Sequence, residues 1–264
     1  MIRAEPQSFA LAEVFTISRG SKTHADVVTA TVERGGHTGR GECVPYARYG
    51  ETLESVVAAI EALPGDITRE ALQSALPAGA ARNALDCALW DLEAKRSGKR
   101  AWELAGLPAP ARTTSAYTLS LGTPEAMEAQ AAREAHRPLL KTKLGGGGDI
   151  PRIEAVRRGA PAARIIVDAN EGWTPEIYRE LAPVLLRLGV EMVEQPFPAG
   201  ADDALLEMDR VLPVCADESV HDRSSLLKLV GKYDMINIKL DKTGGLTEAL
   251  LLKDAATKAG FKIM

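Results

Sequence analysis

The chain has 264 residues, a formal charge of −4, 45% apolar and 26% charged residues, a balance that suits a soluble globular protein large enough to bury a substantial core. It carries no overall nucleic-acid footprint of positive charge, and no run is apolar and long enough to span a bilayer. The three cysteines, Cys43, Cys87 and Cys215, give neither a disulfide framework nor a zinc pattern, and with no secretory signal at Met1-Ile-Arg-Ala-Glu-Pro6 a reducing, cytoplasmic setting is expected.

In chain order, residues 25–33 are β-branched and predict a strand, and Arg34-Gly-Gly-His37 predicts a turn into a second. Helical periodicity is predicted over 52–63 and again over 79–95, where Ala80, Ala84, Leu85, Ala88, Leu89 and Leu92 make one apolar stripe. Gly106-Leu-Pro-Ala-Pro110 restricts the backbone and is the predicted linker. Residues 1–110 therefore read as an α+β domain.

Residues 111–264 change rhythm. Short strands at 116–121, 139–143, 164–168, 191–194, 214–217 and 235–239 alternate with helical segments at 123–136, 149–158, 175–188 and 246–260. Repeated crossover units predict a parallel sheet, and six strands after a separate domain favour an α/β barrel, a modified TIM barrel under an N-terminal α+β capping domain. Residues 261–264 read as the start of a seventh strand. Against an eight-stranded template, the C-terminal part of the barrel is expected to be missing from this chain.

Three predicted strands end in acids: Asp168 in Ile165-Ile-Val-Asp-Ala-Asn-Glu, Glu194 in Val190-Glu-Met-Val-Glu-Gln-Pro, and Asp217 in Val214-Cys-Ala-Asp-Glu-Ser. Any one alone reads equally well as a helix cap or a loop residue. At successive strand ends of a barrel they converge on the face where active sites gather. Carboxylates that share a site repel and call for a cation, and oxygen-only ligands suit Mg²⁺, with Mn²⁺ as a substitute.

Lysines complete the pattern. Leu139-Leu-Lys-Thr-Lys-Leu-Gly-Gly-Gly-Gly-Asp149 places Lys141 and Lys143 on one side of a strand. The bland reading is a strand running out into solvent; the sharper one is a site in which negative charge compensates both. The glycines lack a phosphate-loop signature and predict flexibility beside Lys143. Lys239 ends the sixth barrel strand, almost diametrically across from Lys143 at the end of the second. Opposed lysines around a cation suit proton movement between two faces of one carbon next to a carboxylate, through an enediolate. A lysine base must be partly neutral, so both pKa values are expected to be lowered.

With Arg48-Tyr-Gly-Glu-Thr52, Leu76 to Asp91 (LPAGAARNALDCALWD) and Asn237 to Ala249 (NIKLDKTGGLTEA) added in order, the chain resembles the enolase superfamily in its muconate-lactonising-like branch, and within it the dipeptide epimerases. The resemblance covers essentially the whole chain. It implies Mg²⁺ held by Asp168, Glu194 and Asp217, acid/base roles for Lys143 and Lys239, and an anion-stabilising role for Lys141. It also implies reversible epimerisation of L-Ala-D-Glu and L-Ala-L-Glu in murein peptide metabolism, with a homo-oligomer allowed and no nucleic-acid or membrane partner. Arg19 lies in a segment similar to the family loop over the barrel mouth and is expected to bind the glutamyl side-chain carboxylate, since guanidinium pairs well with planar acids. Thr118, at the first barrel strand, is expected to help orient the substrate carboxylate. O-succinylbenzoate synthase or cycloisomerase chemistry could use the same groups, and an inactive scaffold or incomplete barrel fragment is the non-enzyme alternative.

Overall fold

The computed structural model describes residues 1–264. The first domain begins with β1 (Ile2–Ile17), β2 (Gly20–Arg34) and β3 (His37–Cys43), an antiparallel sheet in that order. β1 was not expected as a strand. Most of its side chains face solvent, so it lacks the apolar alternation that reveals a half-buried strand. It is an edge strand, where Pro6 can forgo a ladder donor. The turn between β1 and β2 falls at Ser18–Arg19, which carries Arg19 towards the second domain.

Four helices follow: α1 (Leu53–Glu61), α2 (Arg69–Ala75), α3 (Ala80–Ser97) and the single turn α4 (Ala101–Leu104). The predicted stripe Ala80, Ala84, Leu85, Ala88, Leu89 and Leu92 is buried, and it joins Val28, Val32, Ile60 and Leu72 in one core. Each such fully buried Leu, Ile or Val contributes roughly 1.5–3 kcal/mol. Residues 107–116 then adopt no regular structure.

The second domain runs through β4 (Tyr117–Leu119), α5 (Pro124–Arg133), β5 (Leu139–Lys143), α6 (Asp149–Gly159), β6 (Arg164–Asp168), α7 (Pro175–Arg187), β7 (Val190–Glu194), β8 (Val214–Ala216), β9 (Met235–Ile236), α8 (Leu240–Thr243), α9 (Leu246–Lys258) and β10 (Lys262–Ile263). Its seven strands are parallel and lie side by side in chain order. Thr123 and Thr174 start α5 and α7 by accepting the N–H of the third residue onward, with proline at the first helical position.

Alternation along the strands separates two environments. Leu140, Ile165, Val167, Val193 and Val214 pack into the large core, while Ile166, Met192 and Cys215 cluster separately with Leu139 and Met235. Lys141, Lys143, Asp168, Glu194 and Asp217 share the parity of this second set, so each strand that packs apolar residues below presents charge at its C-terminal end.

The expectation of a barrel lacking its C-terminal part is corrected. Residues 262–263 form a seventh strand paired to β9: Lys262 N–H donates to Asp234 O at 3.0 Å, Met264 N–H to Ile236 O at 2.9 Å, and Ile238 N–H to Met264 O at 3.0 Å. Counting sequence segments against an eight-stranded template underrated a strand only two residues long.

Candidate active site

β5, β6 and β7 are in register at their ends, with Lys143 opposite Asp168 and Asp168 opposite Glu194. Cys215 is opposite Glu194, and Asp217 follows two residues on, beyond β8. One oxygen from each of Asp168, Glu194 and Asp217 lies within 4.8 Å of the others, and all three side chains are buried. The expected convergence of the three strand-end acids is present.

Lysines bracket this row. Lys143 Nζ donates to Asp168 Oδ2 at 2.6 Å and to Asn170 Oδ1 at 2.8 Å. Lys141 Nζ bridges Asp168 Oδ2 at 2.9 Å and Glu194 Oε2 at 2.5 Å. At the far end, Lys239 Nζ donates to Asp217 Oδ2 at 2.5 Å. The two strand lysines therefore do not run out into solvent; both are buried against carboxylates.

Charge and burial compete at every group. Burial and the neighbouring Asp168 push the Glu194 carboxyl up to about 7, with Lys141 pulling the other way. At Asp168 burial is outweighed by Lys141 and Lys143, and its carboxyl is held below the usual range. At Asp217 it is outweighed by Lys242 and Lys239, with the same result. Lys141 is buried, yet Glu194 and Asp168 hold its amine above the ordinary lysine value. The expectation of a lowered acid/base lysine is not met at Lys239, where Asp217 outweighs partial burial and raises it. Carboxylate charge committed to a cation would no longer hold that amine up.

The donor set fits a hard divalent cation. Glu194 Oε2 is buried and faces Lys141 as an ion pair without a well-directed hydrogen bond. A buried carboxylate oxygen in that condition, within a cluster of oxygens from three acids, is the chemistry that Mg²⁺ satisfies.

Several residues at the site went unassigned in the sequence. Lys242, one helical turn after Lys239, is buried and donates to Asp217 Oδ1 at 2.6 Å and also to the Asp217 carbonyl. Burial lowers its amine despite Asp217. Asn170 and Asn237 meet Lys143 and Glu194, with Asn237 Nδ2 donating to Glu194 Oε1 at 2.9 Å. The available signal was period: Asn170 is two residues beyond Asp168, and Asn237 comes one residue after β9 as Asp217 comes one residue after β8, the paired strand. Asn170, Glu171 and Gln195 hold positive φ of 44°, 66° and 36°, conformations that side chains avoid and that gather where a site over-determines the backbone.

Arg19 reaches the mouth from the first domain. Its Nη1 donates to Asn170 O and Glu171 Oε2, each at 3.0 Å, and its Nη2 to Glu218 Oε1 at 2.8 Å. Arg48 also binds Glu171, at 2.5 Å. Thr118 is in β4 opposite Lys141 in register. The first two glycines of the run are tied to the start of α6: the N–H groups of Gly145 and Gly146 donate to Asp149 Oδ2 at 3.0 and 2.8 Å, and Trp173 Nε1 does so at 2.9 Å.

The family model for the N-terminal domain of mandelate racemase/muconate lactonizing enzymes matches residues 3–106, and the enolase C-terminal domain-like model matches residues 125–264. Both the capping and the barrel domain are thus present, which completes the correction of the missing-barrel expectation. L-Ala-D/L-Glu epimerase of Escherichia coli K12 is 47% identical over 100% of this chain and 84% of its own length. N-acetyl-D-glutamate racemase of a Pseudoalteromonas species is 44% identical over 86% of this chain and 73% of its own. A solved enolase family member from Agrobacterium tumefaciens with homology to dipeptide epimerases, with bound sodium and L-Ala-L-Glu, superposes with TM-score 0.96 at 53% identity, covering 100% of this chain and 82% of that one. With both domain models matched and the acid row in place, the chain belongs to the mandelate racemase/muconate lactonizing enzyme family of the enolase superfamily.

Proposed function

We propose that the protein is a Mg²⁺-dependent dipeptide epimerase that interconverts L-Ala-D-Glu and L-Ala-L-Glu. The observation that carries this reading is the bracketing of the acid row, with Lys143 on Asp168 at 2.6 Å and Lys239 on Asp217 at 2.5 Å. Mg²⁺ held by Asp168, Glu194 and Asp217 supplies positive charge for the substrate carboxylate and for the charge that develops there.

The neutral amine of one lysine takes the α-proton of the glutamyl residue, and the C–H electron pair moves into an enediolate. The ammonium of the other lysine returns a proton to the opposite face. Lys141, held positive by Glu194 and Asp168, stabilises the anion and does not act as base. Arg19 takes the glutamyl side-chain carboxylate by exchanging it for one of its glutamate partners, and Thr118 helps orient the α-carboxylate. A cytoplasmic setting and a role in murein peptide metabolism belong to the same reading; no helix is long and apolar enough to cross a membrane.

The similarity to an N-acetyl-D-glutamate racemase favours a second reading. N-acetylglutamate and alanylglutamate share an N-acylated glutamate, and the two differ only in the acyl group. The test is α-proton exchange in D₂O with Mg²⁺, followed by NMR for L-Ala-L-Glu, L-Ala-D-Glu and both N-acetylglutamates. Exchange of both dipeptides is expected, at higher kcat/KM than the N-acetyl compounds. The reverse order moves the assignment to the N-acetyl racemase, and exchange of none of them removes both.

A further inference from the structure

Helix α3 belongs to the capping domain, yet one face of its first turns grips the barrel segment that follows Lys239. Arg82 Nη2 donates to Thr243 O at 2.7 Å and its Nε to Gly244 O at 3.1 Å. Those carbonyls end α8, where intrahelical donors have run out. Asn83 Nδ2 donates to Asp241 Oδ1 at 2.7 Å. Asp86 accepts from Thr247 N–H at 2.9 Å and from Thr247 Oγ1 at 2.7 Å. It thereby caps α9 from another domain, because the residue at the N-cap is Gly245 and has no side chain to do so.

The fit is close. A Cβ added to Gly244 would meet Arg82 Nε at 2.4 Å, and one added to Gly245 would meet Asp86 Cβ at 2.5 Å. Arg82, Asn83 and Asp86 are all buried, so these bonds are shielded from water and stiffer for it.

The opposing lysines are held differently. Lys143 lies within β5 and is fixed by pairing to β6. β9 ends at Ile236, and Lys239 stands three residues past it at the start of α8. Sheet bonds hold the chain as far as Ile238, with Asn237 N–H on Ala216 O at 2.8 Å and Ile238 N–H on Met264 O at 3.0 Å; from Lys239 onward the position of the segment is set by the grip on residues 241–247.

We propose that Arg82, Asn83 and Asp86 are positioning residues for Lys239, so that proton transfer on one face of the substrate depends on the capping domain and transfer on the other does not. This rests on the reading of Lys239 as an acid/base group. A displacement of about 1 Å can cost about 10²-fold in rate, so the effect should be large and one-sided.

The test uses the full chain with Mg²⁺ and measures α-proton exchange in D₂O for L-Ala-L-Glu and L-Ala-D-Glu separately. Lys239→Ala identifies the epimer whose exchange needs Lys239. Asn83→Ala and Asp86→Asn are then expected to lower exchange from that epimer by roughly 10–100-fold, with exchange from the other epimer and Mg²⁺ affinity retained. The double variant Asn83→Asp with Asp241→Asn reverses the donor and acceptor of one bond and is expected to recover part of the loss; it also serves if Asp86→Asn does not fold. Equal losses from both epimers, or no loss, in folded α3 variants overturn the proposal while Lys239→Ala keeps its one-sided effect. An even-handed Lys239→Ala overturns the two-lysine reading itself, and the positioning proposal with it.

Discussion

Gln195 follows Glu194 at a φ of +36°, and both ends of its amide are engaged. Its Oε1 accepts from the N–H groups of Asp217 at 2.8 Å and Ser219 at 3.1 Å. Its Nε2, with two hydrogens to donate, lies 2.8 Å from both Phe197 O and Ser219 Oγ and 3.0 Å from the Tyr233 hydroxyl. One side chain thus ties the acid on β7 to the acid after β8. Gln195→Leu would strand two N–H groups around Asp217, each at a cost of about 1–3 kcal/mol. Loss of such an outer partner is expected to weaken Mg²⁺ binding by about 10–100-fold, read by calorimetric titration of the folded variant. Unchanged affinity would show that Asp217 keeps its place without Gln195. The acids themselves were legible because each ends an apolar strand of fixed parity. Gln195 and Lys242 were not, because both meet Asp217 from other parts of the chain and no local pattern encodes those meetings.

At the scale of elements, β3 and α3 meet backbone to backbone. A Cβ on Gly39 would lie 2.1 Å from Ala88 O, and one on Gly41 would lie 2.1 Å from Ala84 O. The glycines at alternate positions of β3 and the alanines four apart on α3 are the two halves of that contact. Gly41→Ala forces the helix off the sheet, and overpacking of this kind typically costs about 1–3 kcal/mol. A lower urea midpoint with unchanged slope is expected; an unmoved midpoint would mean that the contact relaxes freely. The alanine stripe of α3 was readable from its period, but the glycine side of the contact was not, since glycine leaves no apolar signal. β1 escaped for a related reason, having mostly solvent-facing residues, whereas β5 to β8 are short and almost wholly buried and stood out between helical segments.

For the whole molecule, the two cores are separate clusters and the site lies where polar contacts join the domains. Arg19 and Arg48 reach Glu171 and Glu218 over the mouth, and α3 holds the segment after Lys239. In the proposed reading, the order of acids and lysines around the sheet is what makes this a two-faced proton-transfer site. Epimer-resolved α-proton exchange in D₂O by folded Lys143→Ala and Lys239→Ala variants with retained Mg²⁺ affinity tests that claim most directly. Removing a positioned acid/base group typically lowers rate by about 10²–10⁴-fold. The expected result is that Lys143→Ala suffers this loss with one epimer and Lys239→Ala with the other. Equal residual exchange from both epimers in both variants would contradict it.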